Sequence, residues 1–386
     1  MEKKGLSFKF QSPGRIIFER GAARLVEKEL SGLGAKKALL VTDEAMKDSA
    51  MVNTVKESLG KNLAAVFDRV RPDSGLELVN EGAAMALEAG ADAVVSVGGG
   101  SSMDTAKAIG VLLAKQEPDI RPYIGLFKVR EKVKPHIAIP TTAGTGSEVT
   151  SMAMIKDHEK NIKGLLMDRN LIPPVAILDP EMTLTMPAGL TAGTGMDALT
   201  HAIEAMVSIS HMPPADALAS HAIGLLLINL PLACKQGSDI EARSMNLIAA
   251  TEAGMAFQNA LVGVVHAMAH ALGGYFGVPH GLANAMLLPE CMAYNLELVP
   301  DRLAIVARAM GLTPSRDERA DGLAAIEKVR ALTRELEIPQ RLSEVGVKED
   351  GLPACAQLAL ADGAMYTNPR RPAGPDEILE IYRRVF

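Results

Sequence analysis

Val94-Val95-Ser96-Val97-Gly98-Gly99-Gly100-Ser101-Ser102-Met103-Asp104 runs from an apolar stretch into three glycines and then into a helical pattern. A near-continuous apolar run bounded by glycine predicts a strand buried on both faces, as in a parallel sheet covered by helices. Glycines directly after it let backbone amides approach a phosphate closely, and the following helix N-terminus adds a favourable dipole. Ser101 or Ser102 is expected to cap that helix. The plainer reading is a tight strand-to-helix turn without a ligand, because glycine serves any tight turn.

Outward from this stretch, strands are predicted at 15–18, 38–42, 64–67, 93–97, 137–140 and 175–178, with helices at 76–89 and 103–114 between them. Strand–helix alternation indicates an α/β domain with a mostly parallel sheet. The pattern changes near Pro187. Ala/Leu/Met-rich segments follow at 192–207, 214–230, 240–255, 264–276 and 282–296, and their propensities favour helix. The expected organisation is an α/β domain over 1–187 followed by an all-α domain over 188–386.

A second glycine-rich segment, Ile139-Pro140-Thr141-Thr142-Ala143-Gly144-Thr145-Gly146-Ser147-Glu148, also follows a strand. It offers hydroxyls and free amides at a strand's carboxyl end, where α/β sheets bind ligands. Neither segment is a GxGxxG fingerprint, so a nucleotide site here differs from the Rossmann turn. Asp43 ends the strand Leu39-Leu40-Val41-Thr42. An acid at that position can accept hydrogen bonds from ribose hydroxyls and repel a 2′-phosphate. It could equally be the N-cap of a helix beginning at Glu44.

The second half carries a metal signal. Asp197-Ala198-Leu199-Thr200-His201 puts a carboxylate and an imidazole on one helix face. His266-Ala267-Met268-Ala269-His270 repeats the spacing with two imidazoles, and His280 follows. Burying such groups in apolar helices is costly unless something compensates them, and coordination of a cation does so. Oxygen plus imidazole suits Fe²⁺, Zn²⁺ or Mn²⁺. Spacing alone does not choose among His266, His270 and His280, and hydrogen-bonded core histidines are the bland alternative. Glu204 is placed one turn beyond His201, and Phe257 near the metal helices.

Composition narrows the class. The 386 residues carry a net charge of −6, and no basic stripe points to nucleic acid. The start Met1-Glu2-Lys3-Lys4 leads into no signal-peptide core, and the apolar stretch 219–234 is interrupted by His221, Asn229 and Pro231, which suits a buried helix better than a membrane span. Cys234, Cys291 and Cys355 are isolated and form no CxxC pair, so a reducing, cytoplasmic setting is expected. No Gly-x-Ser-x-Gly elbow supports a serine hydrolase.

Four motifs together resemble the iron-containing (group III) alcohol dehydrogenase family. They are Gly98-Gly99-Gly100-Ser101-Ser102-Met103-Asp104; the run from Pro140 to Val149-Thr150; Gly195-Met196-Asp197-Ala198-Leu199-Thr200-His201-Ala202-Ile203-Glu204; and His266-Ala267-Met268-Ala269-His270 leading to Pro279-His280-Gly281. The resemblance runs from about residue 8 to the C-terminus. It implies an N-terminal dinucleotide-binding α/β domain and an all-α metal domain. It assigns the metal, iron(II) foremost with zinc or manganese as alternatives, to Asp197, His201, His266 and His280. It leaves His270 beside the substrate, as a residue just outside the metal ligands or as a proton relay. It places NAD on Gly98, Gly99, Gly100, Ser101 and Asp104, with Thr141, Thr142 and Thr150 lining the cofactor and Lys163 at the nicotinamide ribose. Asp43 matches the position that favours NAD over NADP.

Two stretches depart from the family pattern. Pro72-Asp73-Ser74 stands where many members have Pro-Asn-Pro near the adenine. Ser151-Met152-Ala153-Met154 stands where relatives carry larger or more polar groups bordering the substrate. The implied reaction is hydride transfer between NAD(H) and a small alcohol or aldehyde, in a homodimer or higher homo-oligomer. Competing readings are a lyase or cyclase of the dehydroquinate synthase type, whose phosphate-binding basic cluster is not seen here, and a non-catalytic metal- or nucleotide-binding protein.

Overall fold

A computed structural model describes residues 7–72, 74–159 and 162–386. Asp73 of the Pro72-Asp73-Ser74 departure and the start at residues 1–4 lie outside the described residues. The chain divides into two compact units. One comprises Pro13–Thr191 with Leu232–Thr251; the other comprises Ala192–Pro231 and Glu252–Phe386 with the described residues up to Ser12.

Among the described residues, the first unit is built on nine strands, β1 (Arg15–Phe18), β2 (Ala38–Asp43), β3 (Leu63–Val70), β4 (Ala93–Gly98), β5 (Gly125–Leu126), β6 (His136–Pro140), β7 (Met152–Asp157), β8 (Ile162–Met167) and β9 (Val175–Leu178). Six form a parallel sheet in the order β1-β9-β6-β4-β2-β3. Helices α1 (Val26–Gly32), α2 (Ala50–Leu59), α3 (Leu76–Glu88) and α4 (Gly100–Lys115) connect them. The apolar strands bury both faces, so alternate residues feed two separate cores. Leu39, Val41 and Val94 pack with Phe67, Val79 and Ile109. Ala38, Leu40, Val95 and Val97 pack with Val52, Val55, Ile137 and Ile177. From β2 the chain steps outward to β3, whereas β4 leads to β6 and β9 on the other side. That reversal opens a crevice at the carboxyl ends of β2 and β4, the usual ligand position in such sheets.

The sequence did not predict β5, β7 or β8, which form a second sheet in the order β5-β8-β7. Its β7–β8 pair is antiparallel, with Met152 opposite Met167 and Lys156 opposite Lys163. Met, Ala, Leu and Lys favour helix by propensity, which hid these strands. Strict alternation of half-buried and buried residues along β7 is what makes it a strand.

Inside the main sheet His136 is buried, with Nε2 2.7 Å from Ser96 Oγ and no hydrogen-bond partner at Nδ1. Burial, aided by the nearby Lys107 charge, lowers its pKa to about 3. An unfolded histidine titrates near 6.5. Its contribution is therefore complete above about pH 6.5 and is lost as pH falls toward 3. Between pH 7 and pH 5 the loss amounts to about 2 kcal/mol. Chemical unfolding at the two pH values is expected to show that extra loss in the parent relative to His136→Gln. Equal losses in both proteins would refute it.

The second unit is helical. Its elements come from α5 (Ala188–Val207), α6 (Pro213–Lys235), α7 (Ile240–Ala260), α8 (Val264–Phe276), α9 (His280–Asn295), α10 (Pro300–Ala309), α11 (Glu318–Glu335), α12 (Leu352–Leu360) and α13 (Pro375–Arg384). By length and composition α6 could cross a membrane. Here Ala215, Ala219, Ala222, Ile223, Leu226 and Leu230 are fully buried and recur at helical spacing, so one face of α6 serves this core.

Candidate metal centre and cofactor loop

Three helices of the second unit each contribute an i, i+4 pair, a spacing that puts both side chains on one face. The pairs are Asp197 and His201 on α5, His266 and His270 on α8, and His280 and Asn284 on α9. Gly281 lets α9 approach α5, since a Cβ there would stand 2.4 Å from the Gly193 carbonyl oxygen. The helices thereby converge on one carboxylate oxygen. Asp197 Oδ1 lies 3.9 Å from His201 Nε2, 3.7 Å from His266 Nε2 and 3.5 Å from His280 Nε2. Ligand atoms of Asp197, His201 and His266 all fall within 4.8 Å of one another.

These separations fit a shared ion. Bonds of about 2.1 Å in a tetrahedral site put neighbouring ligand atoms roughly 3.4 Å apart. The chemistry also fits, with one carboxylate, three imidazoles and no thiol. Burial raises the Asp197 pKa, but His201, His280, His266 and the Asn284 amide more than offset it, so the carboxyl stays below its ordinary value. Burial lowers the His266 pKa to about 4, keeping the ring neutral and able to donate a lone pair.

Surrounding groups orient these side chains. Glu204, one turn beyond His201 on α5, accepts from His266 Nδ1 at 2.6 Å, from Gly263 N at 2.9 Å and from Val265 N at 2.7 Å. Burial pushes the Glu204 pKa up to about 7 against these donors. With Nδ1 turned to Glu204, His266 presents Nε2 to the cluster, the arrangement metal-binding histidines commonly use. Phe257 stacks on His201 at 4.1 Å and walls that side of the site.

His270 makes a different contact. Its Nδ1 lies 2.9 Å from Asp362 Oδ2, and its ring stacks on His280 at 5.3 Å. Burial raises the Asp362 pKa, but the hydrogen bond and charge of His270 outweigh it and hold the carboxyl below its usual value. Nothing in the sequence pointed to Asp362, 92 residues from its partner. Asn284 also escaped the sequence reading, although its i+4 spacing from His280 was visible.

In the sheet unit, Asp43 ends β2 beside the glycine turn that ends β4. A Cβ on Gly98 would meet Ser102 Oγ at 2.4 Å and Asp43 Oδ2 at 3.4 Å, so this position takes only glycine. Asp43 is not a helix N-cap. It accepts from Met46 N at 2.9 Å within a turn, and Ser49 caps the helix that begins at Ala50. Burial raises the Asp43 pKa against that backbone donation. The expected serine cap of α4 is also absent. Gly99 is the N-cap, no side chain caps the helix, and Ser101 and Ser102 lie inside it. The first amides of α4 thus point at the crevice without a side-chain acceptor.

The second glycine-rich loop packs against the first. Thr142 Oγ1 stands 3.3 Å from the Cβ position of Gly99, and Thr145 Cγ2 2.8 Å from that of Gly100. Thr141 Oγ1 approaches Met46 Sδ at 3.4 Å. Asp104 accepts from Ser147 Oγ at 2.7 Å and from Met154 N at 2.9 Å. Buried Lys107, which the sequence reading passed over, donates to Ser147 Oγ at 2.7 Å and Thr150 Oγ1 at 3.2 Å. Burial lowers its pKa to about 8 against the pull of Asp104 and Glu148. Asp104 and Lys107 therefore tie α4 to the second loop and hold Thr150. Lys163 sits on β8 opposite Lys156.

Two family models match the chain. "Iron-containing alcohol dehydrogenase" covers residues 13–180, and "Fe-containing alcohol dehydrogenase family, C-terminal" covers 191–386. The chain is 40% identical to a 1,3-propanediol dehydrogenase from Citrobacter freundii, over 98% of this chain and 99% of that one. It is 39% identical to an NAD-dependent methanol dehydrogenase from Bacillus methanolicus, over 94% and 95%. The solved structure of a 1,3-propanediol oxidoreductase superposes with a TM-score of 0.95 at 39% identity, over 99% of this chain and 100% of that one.

Proposed function

The chain belongs to the iron-containing alcohol dehydrogenase family, and from that premise we propose that it transfers a hydride between NAD(H) and a small alcohol or aldehyde. Alcohol and aldehyde oxidoreduction is the activity class of its relatives. The finer reading gives a divalent metal, iron(II) before zinc or manganese, to Asp197, His201, His266 and His280. The observation that carries it is the approach of three imidazole Nε2 atoms to within 3.9 Å of one buried carboxylate oxygen. Such an ion would polarise the oxygen of the alcohol or aldehyde, while the nicotinamide carries the hydride.

This chain's residues supply the rest. Glu204 fixes the orientation of His266, and Phe257 shields His201 from water. His270, held by Asp362, gives a proton to the product oxygen in reduction and removes it in oxidation. The free amides at the start of α4 bind the pyrophosphate, with Gly98, Gly99, Gly100 and Ser101 forming its cradle. Thr141, Thr142 and Thr150 line the cofactor, Lys163 reaches the nicotinamide ribose, and Asp104 keeps the two loops together. Asp43, at the carboxyl end of β2, takes the adenosine ribose. Three free thiols support a cytoplasmic setting. Exposed Ile16 and Phe18 on edge strand β1 support association of copies.

The test follows reduced-nicotinamide absorbance with a panel of small aldehydes on iron-reconstituted protein. Turnover is expected with NADH and much less with NADPH, because the 2′-phosphate would meet the Asp43 carboxylate. Asp43→Gly removes that repulsion and should shift the ratio toward NADPH by roughly tenfold, the equivalent of ~1.4 kcal/mol. No oxidation of either cofactor with any aldehyde would overturn the function. A parent preference for NADPH, or a ratio unmoved by the substitution, would overturn the role of Asp43.

A further inference from the structure

Asn284 is fully buried, one turn after His280. Its Nδ2 lies 2.7 Å from Asp197 Oδ1, 3.3 Å from His266 Nε2 and 3.2 Å from His280 Nε2. One amide nitrogen thus touches three of the four atoms assigned to the metal. Its Oδ1 is buried with no hydrogen-bond partner. Turning the amide over would set a carbonyl oxygen 2.7 Å from the Asp197 carboxylate oxygen, so repulsion fixes the observed orientation. A buried polar atom left unpaired is costly. The fold accepts that cost at Oδ1 to aim N–H donors at the ligand atoms.

We propose that Asn284 is a positioning residue that holds the metal ligands in their binding geometry before the ion arrives. Its N–H groups donate to the Asp197 carboxylate and to the lone pairs of His266 and His280. Without such a donor, the Asp197 carboxylate and the lone pairs of His266 and His280 repel one another where they converge. Asp197 would then relax away from the imidazoles, and the ion would have to reassemble the set. Partners of this kind typically change metal affinity 10- to 100-fold. The inference rests on the proposed metal ligands.

The test uses cobalt(II) as the probe on the full chain, with Asn284→Leu and Asn284→Ala. Leucine keeps the volume without the donor. Alanine removes both and covers the case in which leucine does not fold. Cobalt affinity is measured by chelator competition, and melting temperature is measured with and without cobalt. The parent should bind one cobalt per chain, and the variants should bind it 10- to 100-fold more weakly. Their loaded forms should also lose more melting temperature than their metal-free forms, because weaker binding takes away part of the stabilisation that the ion adds. Parent-like affinity in a folded variant would overturn the inference while leaving the ligand assignment intact. So would equal melting losses in both forms with unchanged affinity, which would mark Asn284 as a core residue alone. A parent that binds no cobalt would overturn the ligand assignment and this inference with it.

Discussion

His266→Ala is expected to lose bound metal and turnover together. His266 faces Asp197 at 3.7 Å through Nε2 and Glu204 at 2.6 Å through Nδ1, so it joins the ligand set to the carboxylate behind it. Removing the imidazole deletes one proposed ligand and leaves buried Glu204 with one donor fewer, which is costly at the observed burial. Polarisation of a carbonyl by a bound cation is worth several kcal/mol, so turnover should fall by ~10³-fold or more. Glu204→Gln separates the two roles. It keeps an oxygen acceptor and removes the charge, so metal affinity should weaken by about 10- to 100-fold without disappearing. Elemental analysis and rate measured on the same preparations check both. Full metal occupancy in His266→Ala would remove His266 from the ligand set.

The sequence made the sheet legible because its strands are short apolar runs with punctuation. All six predicted strands lie in the parallel sheet, each within a few residues of its predicted bounds. The β7–β8 pair stayed hidden because its residues favour helix by propensity, and the alternation of burial that marks β7 as a strand arises only when it pairs with β8. Helix caps misled for a related reason. Ser101, Ser102 and Asp43 are residues that cap helices, but α4 starts at Gly100, ahead of both serines, and α2 starts at Ala50, well beyond Asp43. A cap depends on where the backbone leaves the strand, which composition does not encode.

The candidate site divides along the same line. Asp197 with His201, and His266 with His270, were visible because both members of each pair share a helix face. Partners from distant segments were not. Asp362 meets His270 only because the segment after α12 returns to α8, and Lys107 reaches Ser147 and Thr150 only through the packing of α4 on the second loop. Asn284 is the intermediate case. Its spacing from His280 was legible, but an asparagine on an apolar helix signals a ligand cluster only once the other two helices are in place.

His270→Ala is expected to keep the metal and lower kcat by ~10²-fold, the scale of a lost acid–base group. The structure separates His270 from its helix neighbour by its partner. His266 turns Nδ1 to Glu204 and Nε2 to Asp197, whereas His270 turns Nδ1 to Asp362 at 2.9 Å. An imidazole oriented by a carboxylate at one nitrogen can exchange a proton at the other, the arrangement general acid–base catalysis requires. Asp362 is held below its ordinary pKa, mainly by the hydrogen bond from His270 against burial. Its charge is therefore present at neutral pH and lost only as pH falls through that lowered value. Asp362→Asn should leave the ring in place without the charge, for a smaller loss of roughly tenfold. The double variant should be no slower than His270→Ala alone, because the aspartate acts through the histidine. Metal content in His270→Ala should stay at the parent level while aldehyde reduction slows. Metal lost in step with activity would make His270 a ligand, and a fully additive double variant would detach Asp362 from the proton path.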